Sequence, residues 1–126
     1  MERLQETGQL MGRLMQDMPD QLKEFSAFIK IAEKDGAMDA KSKHLILLSL
    51  AIAFQCAWCI AVHAKDCVEA KATKEEMLEA AMMAVVMGGG PKLKCIWRFC
   101  TRSWINTSTN NSVKSDSRFT SIHIKA

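Results

Sequence analysis

From Leu45 to Val62 the chain runs for 18 residues in which only Ser49 and Gln55 are neither apolar nor thiol-bearing. A stretch of that length has two physical outlets, a bilayer or the middle of a helical core. Much of it is alanine, and Gln55, Cys56 and Cys59 stand in its interior. The expectation is therefore a buried helical core and no membrane span.

The flanking sequence repeats at the helical period. Leu4, Met11, Leu14, Met15 and Met18 share one face, which predicts an amphipathic helix over residues 2–17 ending near Pro19. Pro19 suits the first turn of a second helix, whose apolar stripe is Leu22, Phe25, Phe28, Ile29 and Ala32 and whose stop is Gly36. Asp39 is placed to cap a third helix from about residue 40 to residue 54. A fourth begins near Gln55 or Cys56 and ends near Ala70, either after a turn or as a continuation of the third. Thr73 followed by Glu76 is a capping box, announcing a fifth helix through about Met87 that "GGGP", Gly88 to Pro91, breaks. No segment of the first 91 residues alternates convincingly at the strand period. The fold class is all-α, a bundle of about five to six helices.

At 126 residues the chain suits one core, and 48% hydrophobic with 25% charged residues is a globular composition. Residues 1–91 carry 10 Lys/Arg against 13 Asp/Glu, whereas residues 92–126 carry 7 against 1. The basic tail lacks a compact basic run or an aromatic-studded motif, so nucleic acid is not an expected partner. The opening "MERLQETGQL" has acids early and no basic-then-apolar order. No secretory leader is expected, and five cysteines, an odd number, argue against a disulfide framework. The expected compartment is the reducing cytoplasm.

The chemistry-bearing element is "CAWCIAVH", residues 56–63. On a helix, positions i, i+3 and i+7 share a face, so Cys56, Cys59 and His63 project together, and Cys59 lies one turn from His63. The thiolate is the nucleophile, and both a helix N-terminus and an imidazole favour it. Cys59, oxidised to a sulfenic acid, can be resolved by Cys56 as a disulfide. Against this stands the plain reading that buried cysteines and an accommodated histidine only fill space. Cys56, Cys59, His63 and Cys67 also look like a four-ligand zinc set. Along one helix, however, they would span roughly 16 Å, too far for ligands at about 2.3 Å from one ion, so no metal is expected. Cys67 and the methionines, including Met77, Met82, Met83 and Met87, read as core.

Residues 38–91, "MDAKSKHLILLSLAIAFQCAWCIAVHAKDCVEAKATKEEMLEAAMMAVVMGGGP", resemble the AhpD-like, carboxymuconolactone decarboxylase family. The resemblance rests on the helix, C-x-x-C-x-x-x-H, the capping box and GGGP together. It implies an all-α fold in homo-oligomers, trimers or hexamers, with the site in a pocket between helices. The members with C-x-x-C resemble thiol peroxidases that reduce alkyl hydroperoxides and draw electrons from lipoyl or thioredoxin-like dithiol partners, with no bound cofactor beyond the redox-active cysteine pair. The lactone decarboxylases lack that pair. Carried over, Cys59 matches the peroxidatic position, Cys56 the resolving one and His63 the proton-relay histidine. The family's relay glutamate, twelve residues before the first cysteine, is here His44. A histidine can pass protons near neutral pH but supplies no negative charge to hold His63 protonated. Lys71 stands where the family commonly has Gly; if φ is positive there, lysine costs on the order of 1 kcal/mol.

After Lys94 the sequence changes character, where the resemblance implies a further amphipathic helix. The helical domain is expected over residues 1–105, and 106–126, containing "NTSTNNSVKSDS", is expected to be a polar, disordered tail. One back-translation of "KCIWRFCTRSWI", read two bases later, gives "MHMAILYEKLD", which looks like the missing helix. A frameshift near Lys94 is the corresponding hypothesis, and the gene sequence tests it. Two other functions compete with a dithiol enzyme: a non-enzymatic helical oligomer or ligand-binding module, and a lactone decarboxylase or isomerase with His63 and His44 as acid and base.

Overall fold

In the computed structural model of the chain, residues 2–96 are described. Among them lie six helices and no strand: α1 Glu2–Asp17, α2 Pro19–Glu33, α3 Ala40–Ala53, α4 Ala57–Glu69, α5 Lys74–Gly88 and the short α6 Pro91–Cys95. The expected elements are present in the expected order. The tail 106–126, Cys100 and most of the segment after Lys94 fall outside the described residues.

α3 is the centre, packed along α4 on one side and α5 on the other. Leu48, Ala51 and Ile52 of α3 meet Ile60, Ala64 and Cys67 of α4 and Met77, Ala81 and Ala84 of α5, with Ile96 closing the cluster. The alanines let the helices approach closely, and Leu48, Ile52 and Ile60 are fully buried. Burial of each such side chain contributes about 1.5–3 kcal/mol. Cys67, also fully buried, is core as expected.

The helix ends follow sequence chemistry. Asp39 caps α3 by accepting from the Ser42 N–H, and hydrogen bonding from Ser42, first from its side chain and then from that N–H, holds the carboxyl below the usual aspartate range. Thr73 and Glu76 form the reciprocal capping box of α5. The second oxygen of Glu76 accepts from Lys41 Nζ at 2.7 Å, which ties the start of α5 to α3. α4 ends with Lys71 at φ 63°, donating to Val68 O while Ala72 donates to Cys67 O. That is a Schellman ending with lysine at the left-handed position where glycine is easiest.

The expectations for the end of α2 and for the methionines of α5 need correction, and the apolar faces of α1 and α2 are left without a partner among the described residues. Gly36 does not close α2 in a left-handed turn; the helix ends at Glu33, and Lys43 Nζ takes the free carbonyls of Ala32 and Lys34 at 2.9 and 2.7 Å. The apolar stripes of α1 and α2 are not core within one chain: Met11, Leu14, Met15, Met18, Phe25 and Phe28 are exposed. α1 packs against α4 and α2, and α2 touches α3 only lightly, so these faces turn outward. Of the methionines assigned to the core, Met77 is buried, but Met82, Met83 and Met87 are exposed because α5 gives α3 only one of its faces.

Candidate functional site

The apolar run is cut into two helices at Phe54–Cys56, which settles the choice between a turn and a continuous helix. Cys56 N–H donates to Ala51 O and Gln55 N–H to Ile52 O, with Gln55 left-handed at φ 57°. This second Schellman ending turns the chain sharply, and the residue that follows Gln55 becomes the N-cap of α4. That residue is Cys56. It is extended at φ −83° and ψ 99°, rather than inside the helix, and its Sγ accepts from the Cys59 N–H at 3.2 Å.

Cys56 and Cys59 are joined in a disulfide, their Cα atoms 5.2 Å apart, inside the usual range for such a bridge. Both residues are half-buried. On reduction, negative charge on the Cys56 sulfur would sit against the free N–H groups and positive end of α4. Cys59 lies one helical turn before His63.

His63 of α4, His44 of α3 and Glu33 of α2 converge, with one donor atom from each within 4.8 Å of the others. The Nδ1 atoms of both histidines are buried without a hydrogen-bond partner. Asp66 Oδ2 approaches His63 Nδ1 to 3.7 Å, beyond hydrogen-bond range. Glu33, coming in from another helix, thus places a carboxylate beside the two histidines. Its position follows from local structure. Lys43 grips the end of α2 through the carbonyls on either side of Glu33, and Asp35 Oδ1 accepts from Ala40 N–H at 2.7 Å, folding the 34–39 connection tightly onto α3. Sequence reasoning missed Glu33, since no spacing relates it to the motif on α4.

A second contact was also invisible to motif spacing. Trp58, between the two cysteines, donates from Nε1 to Glu6 Oε2 at 2.9 Å and lies beneath Arg3, whose guanidinium carbon is 4.9 Å from the ring centroid. Arg3 and Glu6 pair at 3.2 Å. α1 is thus fastened to the outer side of the cysteine pair.

The sequence profile of the carboxymuconolactone decarboxylase family matches residues 17–100. The chain belongs to this family. An uncharacterized protein of Cupriavidus necator is 34% identical over 89 residues, 71% of this chain and 79% of that protein. The apo form of a carboxymuconolactone decarboxylase family protein from Legionella pneumophila superposes with a TM-score of 0.80 at 36% identity, over 85% of this chain and 95% of that one. A family protein of Thermotoga maritima, described as a candidate for an antioxidative response, gives a TM-score of 0.66 at 26% identity over 72% and 93%. The carboxymuconolactone decarboxylase fold thus accounts for the α3–α4–α5 core.

Proposed function

We propose that the chain is a dithiol oxidoreductase that reduces alkyl hydroperoxides or related oxidants with Cys59 and Cys56. The reading is carried by one observation: the two sulfurs are bonded at the N-terminus of α4, with His63 a turn away. In the reduced state the Cys59 thiolate attacks the terminal oxygen of a hydroperoxide. The O–O bond breaks, the alkoxide takes a proton relayed through His63, and Cys59 becomes a sulfenic acid. Cys56 attacks that sulfur, water leaves, and the disulfide forms. An external dithiol, lipoyl or thioredoxin-like, then reduces it by exchange through a mixed disulfide and is itself oxidised to its disulfide. The Cys56 thiolate released in that exchange is stabilised at the helix N-terminus. His44 and Glu33 extend the proton path, Glu33 providing the carboxylate that His44 cannot.

The partners in this reading are the dithiol donor and further copies of the chain. The exposed stripes of α1 and α2 are surfaces of the kind that self-association covers. The likeness to the Thermotoga protein supports antioxidant chemistry in general terms. The test is peroxide consumption driven by dihydrolipoamide, comparing wild type with Cys59→Ser. Loss of turnover in the variant is expected; equal rates remove peroxidase activity, and turnover of a lactone acid unaffected by Cys56→Ser and Cys59→Ser would instead identify a decarboxylase.

A further inference from the structure

We propose that Glu33, His44 and His63 bind one divalent transition-metal ion of the zinc class. Two imidazoles and one carboxylate are the donor set that borderline cations such as Zn²⁺ and Co²⁺ prefer, whereas Mg²⁺ and Ca²⁺ favour all-oxygen sites. The three donor atoms already lie within 4.8 Å of one another. Zinc bonded at about 2.0–2.2 Å requires tetrahedral donors roughly 3.4 Å apart, so a small inward rotation of the side chains completes the geometry. Glu33 is the last residue of α2 and has the rotamer freedom for that movement.

A second observation points the same way. The buried Nδ1 atoms of His44 and His63 have no hydrogen-bond partner, and a buried unmade bond is costly unless something accepts or donates there. A cation bound at Nδ1 would satisfy each ring. Three protein ligands leave a fourth position for water or a small anion. The ligands come from three helices, so the one-helix spacing that speaks against a cysteine-based zinc set does not apply. The ion would fasten α2, which touches α3 only lightly, to the core.

The site stands independently of the thiol chemistry, since none of its ligands is a cysteine. One consequence does rest on the peroxidase reading: a metal on His63 occupies the lone pair that would carry protons, so metal occupancy and rapid thiol turnover exclude each other.

The experiment is calorimetric titration of Zn²⁺ into the full chain in its disulfide form, with thermal unfolding in parallel. One ion per chain is expected, with a rise in Tm in excess Zn²⁺. Glu33→Gln and His44→Gln each remove a ligand and are expected to weaken binding by about tenfold or more, with a correspondingly smaller Tm rise at the same Zn²⁺ concentration. Cys56→Ser/Cys59→Ser should bind as wild type. Should His44→Gln fail to fold, Glu33→Gln and the Co²⁺ spectrum of the wild type decide: d–d bands without thiolate charge transfer are expected. No binding, binding unchanged in Glu33→Gln, or a thiolate band with Co²⁺ would overturn the proposal. A metal site lost together with peroxidase activity only in the cysteine variants would overturn it too, whereas thiols that are inactive in metal-free protein, when that protein still takes up Zn²⁺, would count against the peroxidase reading alone.

Discussion

Cys56 does two jobs that compete for one sulfur: it caps α4 by accepting from the Cys59 N–H, and it is bonded to Cys59 itself. A thiol is a weak acceptor and a thiolate a strong one, so reduction turns the cap into a charge-assisted bond and favours the anion at Cys56. Cys59 then depends on His63 for its proton traffic. His63→Gln is expected to slow peroxide turnover by about a hundredfold, the lower range for loss of an acid–base group. In metal-free protein Glu33→Gln is expected to slow it by about tenfold, the scale of a lost orienting carboxylate. Both are read as rate constants for disulfide formation under single turnover. Cys59, Cys56, His63 and His44 were legible in the sequence because one motif and its family spacing name them. Glu33 was not, because its position comes from the way Lys43 and Asp35 close the 34–39 connection, which is tertiary information.

The elements end where short-range chemistry says they should, and two of those ends carry a conformational cost. Lys71 and Gln55 are both left-handed, and an L-residue with a Cβ loses roughly 1 kcal/mol there against glycine. Lys71→Gly is expected to raise stability by about 0.5–1 kcal/mol, less than the full cost because glycine also loosens the unfolded chain. Urea unfolding of the full chain measures it. At the start of α5, Thr73→Ala should cost about 1 kcal/mol by the same assay. Glu76 links that cap to α3: the hydrogen bond from Lys41, then that from the Thr73 N–H, holds its carboxyl below the ordinary glutamate range, and the pairing with Lys41 holds the amine above the ordinary lysine range. The sign follows from linkage. The depressed carboxyl contributes stability above its unfolded value, and this is lost as pH falls through its folded value; the raised amine contributes below its unfolded value and loses it as pH climbs through its folded one. Lys41→Met is therefore expected to destabilise most near about pH 7 and hardly at all near about pH 2, seen as converging urea midpoints. Helix positions, caps and the break at Gly88–Pro91 were readable because each is set within a few residues of sequence. The lysine-held end of α2 was not, since its cap comes from another helix.

At the scale of the molecule, one chain buries a small alanine-rich core and leaves a large apolar surface. Phe25, Phe28 and Ile31 of α2 and Met82, Met83, Val86 and Met87 of α5 are all exposed. Amphipathic periodicity identified the stripes of α1 and α2 but not what faces them, because periodicity is the same whether the partner is the same chain or another copy. A homo-oligomer is expected by sedimentation, and Phe28→Glu should shift it toward monomer with little change in helix content. The molecule is a helical scaffold of the carboxymuconolactone decarboxylase family with a cysteine pair at the start of α4. No helix among the described residues is long and apolar enough to cross a membrane. What gives the scaffold its proposed activity is the reversible bond between two sulfurs. The most direct measurement is mass spectrometry of the fully reduced chain after one equivalent of an alkyl hydroperoxide. The expected product has lost two hydrogens and yields a peptide cross-linked through Cys56 and Cys59; a pair that stays reduced while the peroxide persists, or while other cysteines oxidise, would contradict the account.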